Sequence, residues 1–459
     1  MAASYLIPIL NRLSCTTSIP RRLVLNSFSD VKSGALRVET IDGEIITLGQ
    51  MRSADRTPSI TIHNDLFWAR VLLFGDLGFA ESYLFHEISS DDLTAVFEFF
   101  ISNSSATNKP AAAGLWSWLF EKPFRAMFGR SNDIRNAQRN AKAHYSRSNE
   151  MFSSFLSPDM TYSAPIWLPK SDPGSQSETL EDAQVRKLQY ALRQTRVQAS
   201  DHVLEIGTGW GSFAIMAART TGCRVTTVTP SDEQKRLAEE RIRDAGVEGR
   251  VEVLKADYRE LDGLGSFDKI VSIEMIEHVG HDFLGIFFEC MDRYLKVEGG
   301  IGYFQCITIP ETRYERYRRG EDFIKKYIFP GGHLPTVSGL VAGINRGSRG
   351  KLIVEEIKSI GAHYPRALRS WRESFLANFE LRIVPALRRS EPEMTVAEMD
   401  LFRRQWEVSK RSQMSVRPRL TDSMQYYFSY CEAGFKTKSL GNVSITVGRE
   451  NCVALLDDP

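Results

Sequence analysis

Long apolar runs are missing from this chain of 459 residues. A membrane-spanning helix needs about 18 or more consecutive apolar residues, and the nearest approach, Leu72 to Phe79, is broken by Gly75, Asp76 and Gly78. Charge of one sign is also missing, since 58 Lys and Arg against 57 Asp and Glu leave a formal net charge of +1. Whole-molecule attraction to nucleic acid or to an anionic surface is therefore not expected, and any basic surface must be local. The six cysteines form no C-x-x-C pair and show no regular spacing, which argues against a zinc module and a disulfide scaffold and makes a reducing compartment the default. His278 and His281 stand three apart with no third ligand at suitable spacing, so no metal is expected.

What is present is an ordinary globular composition, 42% hydrophobic and 25% charged, over a length that suits two or three domains of roughly 100–200 residues each. The first 29 residues hold Arg12, Arg21 and Arg22, seven Ser or Thr and no acid, the composition of a mitochondrial transit peptide. Pro8 and Pro20 interrupt any long amphipathic helix there, so we expect an ordinary N-terminus. Residues 36–40 and 44–48 alternate across Asp42-Gly43 as a β-hairpin does. A third β-like segment at 59–63 and helices over 67–83 and 91–101 complete a small α+β domain, residues 1–101. Residues 102–114 are small and turn-forming, and 115–128 mix aromatics with cations, a pattern that suits either a lipid interface or a helix between domains. We assign 102–130 to a linker and amphipathic segment.

From Leu180 helix and strand alternate: helix 180–196, strand 202–206, helix 212–220, strand 224–228, helix 232–245, strands 250–255 and 267–273, helix 282–295, strand 301–306. Such alternation predicts a parallel sheet with helices on both faces. Helical stretches near 320–328, 366–389 and 395–412 and a terminal hairpin over 434–453 are expected to cap and complete it, giving a second domain over 131–459.

The first of these strands runs into Gly207-Thr208-Gly209-Trp210-Gly211 ahead of a helix, where glycines admit close ligand approach. A dinucleotide fingerprint needs glycine at the sixth position, which is Ser212, and no acid closes the second strand. Glu205 inside the motif instead suits S-adenosylmethionine, as do Asp257 and Tyr258 at the third strand's end, a carboxylate for an adenine amino group and a ring to stack on.

Further segments resemble one family, the cyclopropane fatty acid and mycolic acid cyclopropane synthases. His144 to Phe152 and Met160 to Trp167 resemble its HYD-x-x-N-x-x-F and M-x-YS-x-x-x-[FW] segments. Glu277-His278-Val279-Gly280 looks like its EH-[VF]-G, residues 327–335 resemble YIFPxGxLP, and residues 229–234 resemble T-x-S-x-x-Q. The match runs over roughly 144–440, and the N-terminal domain, with Gly75 to Tyr83, resembles the lipid-handling domain of full-length members.

The resemblance implies a Rossmann-like α/β methyltransferase, a mostly parallel seven-stranded sheet with helices on both faces, behind a smaller N-terminal α+β domain. It implies S-adenosylmethionine bound by Tyr162, Ser163, Glu205, Gly207, Gly209, Trp210, Gly211, Thr229, Ser231, Gln234, Asp257 and Tyr258. Its chemistry is methyl transfer to a cis double bond of an acyl chain, then proton loss to a bound bicarbonate held by Ala164, Glu277, Gln305, Ile307 and Tyr364. Ala164 and Gln305 stand where the family commonly has Cys and His, which puts turnover or outcome in question. Tyr314, Tyr317, Phe323, Tyr327 and Phe329 suit stabilisation of a carbocation, though core packing explains most such runs. The partners implied are membrane phospholipid acyl chains met peripherally from the cytoplasm, with no nucleic acid and a homodimer left open. The alternatives are methylation of another small-molecule acceptor and a lipid-binding relative without catalysis.

Overall fold

The computed structural model describes residues 18–50, 57–104, 149–390, 399, 426–450, 452 and 455. The expected linker and amphipathic segment, from 105 on, and most of helix 395–412 lie outside them. The chain divides into two compact units.

The described part of the first unit comprises residues 18–104 (less 51–56), 321–328, 399 and 426–437. Strands β1 (Ala35–Glu39) and β2 (Ile45–Gly49) form the expected antiparallel hairpin. β3 (Ser59–Ile62) runs parallel to β1 on its other side, and β4 (Ile88–Ser89) closes a four-stranded sheet of order β2-β1-β3-β4. Helix Leu66–Leu84 covers it and is broken at Gly75, whose φ of +54 a side chain would resist. Helix Leu93–Ser102 is capped by the Asp92 carboxylate, which accepts from the Ala95 amide. Its Phe97 meets Tyr426 edge to face at 4.9 Å, so the helix Tyr426–Lys436 builds this unit's core. Arg70 bridges Glu87 at 2.8 Å and Glu81 at 3.4 Å, and Glu81 also takes Lys326 at 2.6 Å and the Tyr327 hydroxyl at 3.0 Å.

The second unit carries a seven-stranded sheet: β5 (His202–Ile206), β6 (Arg224–Thr229), β7 (Val251–Lys255), β8 (Lys269–Ile273), β9 (Ile301–Thr308), β10 (Leu352–Ser359) and β11 (Gly441–Arg449). Its order is β10-β11-β9-β8-β5-β6-β7. Pairings from β9 through β8, β5 and β6 to β7 are parallel, and β11 is antiparallel to both neighbours. Consecutive crossovers leave β5 to either side, making a topological switch at its C-terminal end where ligands of such sheets bind. Two apolar layers hold the helices against the two faces, one around Phe287, Phe288 and Phe304, the other around Phe213, Val225 and Val271.

The elements expected from 180 to 306 are found with small boundary shifts. The expected terminal hairpin is not. Residues 426–436 are helical, and the strand that follows pairs with β9 and β10 from earlier in the chain. The alternation of β11 reports burial on both faces of the sheet, and nothing local marks a distant partner. The stretch near 320–328 is also split, into helix Glu311–Arg319 and a π-helical turn at Ile324–Ile328.

Helices Leu284–Tyr294 and Val337–Ser348 cross closely at Gly347, where a Cβ would lie 2.4 Å from the Gly285 carbonyl oxygen and 2.8 Å from Phe288 Cβ. Gly347→Ala should therefore cost about 1–3 kcal/mol, read as a fall of several degrees in Tm. Gly285→Ala, whose new methyl would meet only Arg346 Cδ at 3.9 Å, should leave Tm nearly unchanged.

Candidate active site

The glycine turn after β5 is shaped by its conformation. Gly207, Gly209 and Gly211 stand at φ of +98, +52 and +87, where a side chain is resisted. The amides of Gly207 and Thr208 both donate to the Val228 carbonyl at 3.1 Å, so the turn is tied to β6. Beneath it Glu205 is buried and accepts from the Thr227 hydroxyl at 2.6 Å. Burial pushes its carboxyl up to about 8, against the pull of Thr227 and Lys187.

One cavity opens over this turn. Of the residues expected to hold the cofactor, Tyr162, Ser163, Glu205, Gly207, Gly209, Trp210, Thr229, Gln234, Asp257 and Tyr258 line it. Two do not. Gly211 is the N-cap of helix Ser212–Thr221, and the Ser231 hydroxyl caps helix Asp232–Asp244 by accepting from the Gln234 amide. Trp210 is fixed by its indole N–H, which donates to Asn149 Oδ1 at 2.8 Å. Asp257 is held by Arg259 at 2.7 Å on both oxygens, leaving lone pairs for a further donor.

The five residues that resemblance groups as catalytic lie beside this cavity, organised by a residue outside that group. Glu274, at the end of β8, lines the cavity and has φ of +49, a strained conformation costing on the order of 1–3 kcal/mol for a non-glycine residue. Its Oε1 accepts from the Ala164 amide at 2.9 Å, Gln305 Nε2 at 2.9 Å and Asn442 Nδ2 at 2.6 Å. Its Oε2 accepts from the Tyr364 hydroxyl at 2.7 Å. The Ile307 amide donates to Glu277 Oε1 at 2.6 Å, and Glu277 Oε2 is buried without a hydrogen-bond partner. Burial first, then the neighbouring Glu274, push Glu277 up to about 8.

Sequence reasoning missed three groups here. Glu274 and Asn442 gave no signal beyond residue type, because their roles depend on strands brought together from far apart. Lys187 did give one. It stands with Gln184, Leu188 and Ala191 on the buried stripe of helix Leu180–Thr195, is fully buried, and donates to Ser163 Oγ at 2.8 Å. Burial lowers its pKa to about 8, opposed by Glu274, Asp159 and Glu205.

The aromatic segment is divided between packing roles. Phe323 and Tyr327 belong to the first unit, Phe323 against Tyr426 at 4.5 Å. In the second, Tyr314 sits between His281 at 2.6 Å and His333 at 3.0 Å, the Tyr317 oxygen accepts from the Leu334 amide, and Phe329 packs on His278. Among the described residues no cluster of side chains could hold a metal ion.

A doubly wound sheet with a glycine turn at its switch point and carboxylates at the ends of neighbouring strands defines an S-adenosylmethionine-dependent methyltransferase. The particular family follows from comparison: residues 132–390 match the mycolic acid cyclopropane synthetase family, and the chain belongs to it. The chain is 34% identical over 400 residues to the tuberculostearic acid methyltransferase of Mycobacterium tuberculosis, covering 86% of this chain and 84% of that one. It is 33% identical to the cyclopropane-fatty-acyl-phospholipid synthase of Escherichia coli, covering 69% and 76%. A crystal structure of a mycolic acid cyclopropane synthase complexed with S-adenosylhomocysteine aligns at a TM-score of 0.53 and 25% identity, over 68% of this chain and 97% of that one. The protein is thus an enzyme of the cyclopropane-fatty-acyl-phospholipid synthase-like methyltransferases.

Two outcomes follow. A Cβ on Gly207 would meet Met275 Cβ at 3.3 Å in a backbone that disfavours it, so Gly207→Val should weaken S-adenosylhomocysteine binding about tenfold or more in titration calorimetry. Glu277, raised from 4.5 to about 8, costs nothing when protonated in both states; the cost grows as pH rises above the unfolded value and is complete above the folded one. Tm should fall from mildly acid to mildly alkaline pH, and Glu277→Gln should make that fall shallower.

Proposed function

We propose that the protein transfers a methyl group from S-adenosylmethionine to the cis double bond of unsaturated acyl chains in phospholipids, giving cyclopropane or methyl-branched chains. The observation that carries this reading is the meeting, in one cavity wall, of the glycine turn after β5 and a carboxylate, Glu274, gripped by four donors. The substrate class comes from the relatives, named for tuberculostearic acid methylation and cyclopropane-fatty-acyl-phospholipid synthesis.

S-adenosylmethionine fits the residues present, since the turn presents bare backbone to the cavity and Glu205, Asp257 and Tyr258 face the same space. Bound there, it supplies an electrophilic methyl on a sulfonium. The chain's own part is to position it and to avoid repelling its charge. His278 lines the cavity, and burial lowers its pKa to about 4, so it is neutral at physiological pH and adds no positive charge beside a cation. Buried Lys187 is engaged by Ser163 and faced by carboxylates. An alkene is a weak nucleophile, so holding it against the methyl in a water-poor site is the main catalytic demand.

The bicarbonate that resemblance implies does not fit these residues. The Ala164 amide, Gln305 and Tyr364 already donate to Glu274, and the Ile307 amide donates to Glu277. A further anion would have to displace one carboxylate and lie beside another, with neutral Gln305 offering no charge in return.

The setting we propose is cytoplasmic and peripheral to a membrane, which accords with the absence, among the described residues, of any helix long and apolar enough to cross one. Expression in a host with cis-unsaturated phospholipids should add one CH2 unit to their acyl chains by mass spectrometry, and Gly207→Val should abolish the gain. An unchanged lipid profile from protein that binds S-adenosylhomocysteine would refute the reading.

A further inference from the structure

The carboxylate of Glu274 is held unlike any other in the second unit. Four donors reach it from four separate segments: the Ala164 backbone, Gln305 of β9, Asn442 of β11 and Tyr364 at the start of helix Tyr364–Asn378. Three of them fall on Oε1, which leaves Oε2 with Tyr364 alone and a lone pair unused. Gln305 Nε2 spends its second hydrogen on the Ala164 carbonyl at 3.2 Å, so its amide is oriented to donate. Glu274 is only partly buried and lines the cofactor cavity, whereas Glu277 behind it is buried. A residue serving only as a brace needs neither a place in the cavity wall nor a backbone held at positive φ.

We propose that Glu274 is the proton acceptor of the reaction, a carboxylate built into the chain at the place where a bound bicarbonate was implied. This rests on acyl-chain methylation as the function. The π pair of the alkene forms the carbon–carbon bond to the methyl while the carbon–sulfur pair stays on sulfur, and positive charge develops on the second alkene carbon. A proton then passes from a C–H beside that carbon to Glu274. The C–H pair closes the ring or forms a new double bond, and Glu274, now a carboxylic acid, returns the proton to solvent. Burial of Glu277, which raises it to about 8, lets that neighbour keep its own proton near neutrality and avoids placing two charges together.

The test uses the purified full chain, S-adenosylmethionine and dioleoyl-phosphatidylglycerol vesicles in carbon-dioxide-free buffer. Wild-type turnover should be the same with and without added bicarbonate. Glu274→Gln keeps an acceptor for the three Oε1 donors but cannot take a proton, and should lose about a hundredfold or more in kcat. Its Kd for S-adenosylhomocysteine should stay within about threefold. Glu274→Gly vacates the cage, and that variant alone should regain turnover on addition of bicarbonate or formate. Wild-type turnover that collapses without bicarbonate, Glu274→Gln retaining near-normal kcat, or a cofactor-binding Glu274→Gly that gains nothing from either anion would each overturn the inference. A wild type that binds S-adenosylhomocysteine yet never methylates the vesicles gives a different pattern: it refutes acyl-chain methylation itself and the inference with it.

Discussion

The second unit depends on a convergence of donors on one carboxylate. An acceptor pair placed at the C-terminal end of a parallel sheet and withdrawn from water must find hydrogen-bond partners or cost several kcal/mol. At Glu274 they come from the segment before the first helix, from β9, from β11 and from the helix after β10. The antiparallel insertion of β11 between β9 and β10 is what carries Asn442 there. The close approach of Gly361, whose Cβ would lie 2.9 Å from the Asn442 amide nitrogen, is what lets Tyr364 follow. The topology of the sheet's far half and the polarity of the site are thus one arrangement. Losing any single donor would leave the others holding a less well satisfied charge.

What was legible in the sequence follows the range of the interactions. The strands and helices from 180 to 306 are local periodicities bounded by turn residues, and they appear in the structure close to where those signals put them. The glycine turn was legible because positive φ selects glycine at three positions over five residues, a constraint visible in residue type. The exclusion of a dinucleotide site turned on Ser212, and the structure gives that residue another task, a hydroxyl donating to the Asp159 carbonyl. The last strand was misread because β11 finds partners at residues 301–308 and 352–359, and a hairpin is the only pairing a local pattern can suggest.

The candidate catalytic group shows the same boundary more sharply. Resemblance brought Ala164, Gln305, Ile307, Tyr364 and Glu277 together, and the structure does place them around one spot. Resemblance alone treated Ala164 and Gln305 as departures of uncertain consequence. With Glu274 present they are consistent with each other: Ala164 contributes a backbone N–H that needs no side chain, and Gln305 donates neutrally to a carboxylate that already carries the charge. A residue was added and two were changed, and only the distances show that these belong to one adjustment.

The charge balance of the cavity completes the physical picture. Glu205, Glu274 and Asp257 face it, against one buried cation, Lys187, and one ion-paired arginine, Arg259. The carboxylates cannot all be costlessly ionised, and burial does raise Glu205. A site that must accept a sulfonium and then tolerate a carbocation gains from holding carboxylates under partial desolvation, because each is stabilised when positive charge enters. The near-neutral chain as a whole conceals this, since net charge sums over a surface while the chemistry depends on a few groups held where water cannot screen them. Local electrostatics therefore decides what this fold does with a methyl donor, and it is set by pairings between strands far apart in the chain.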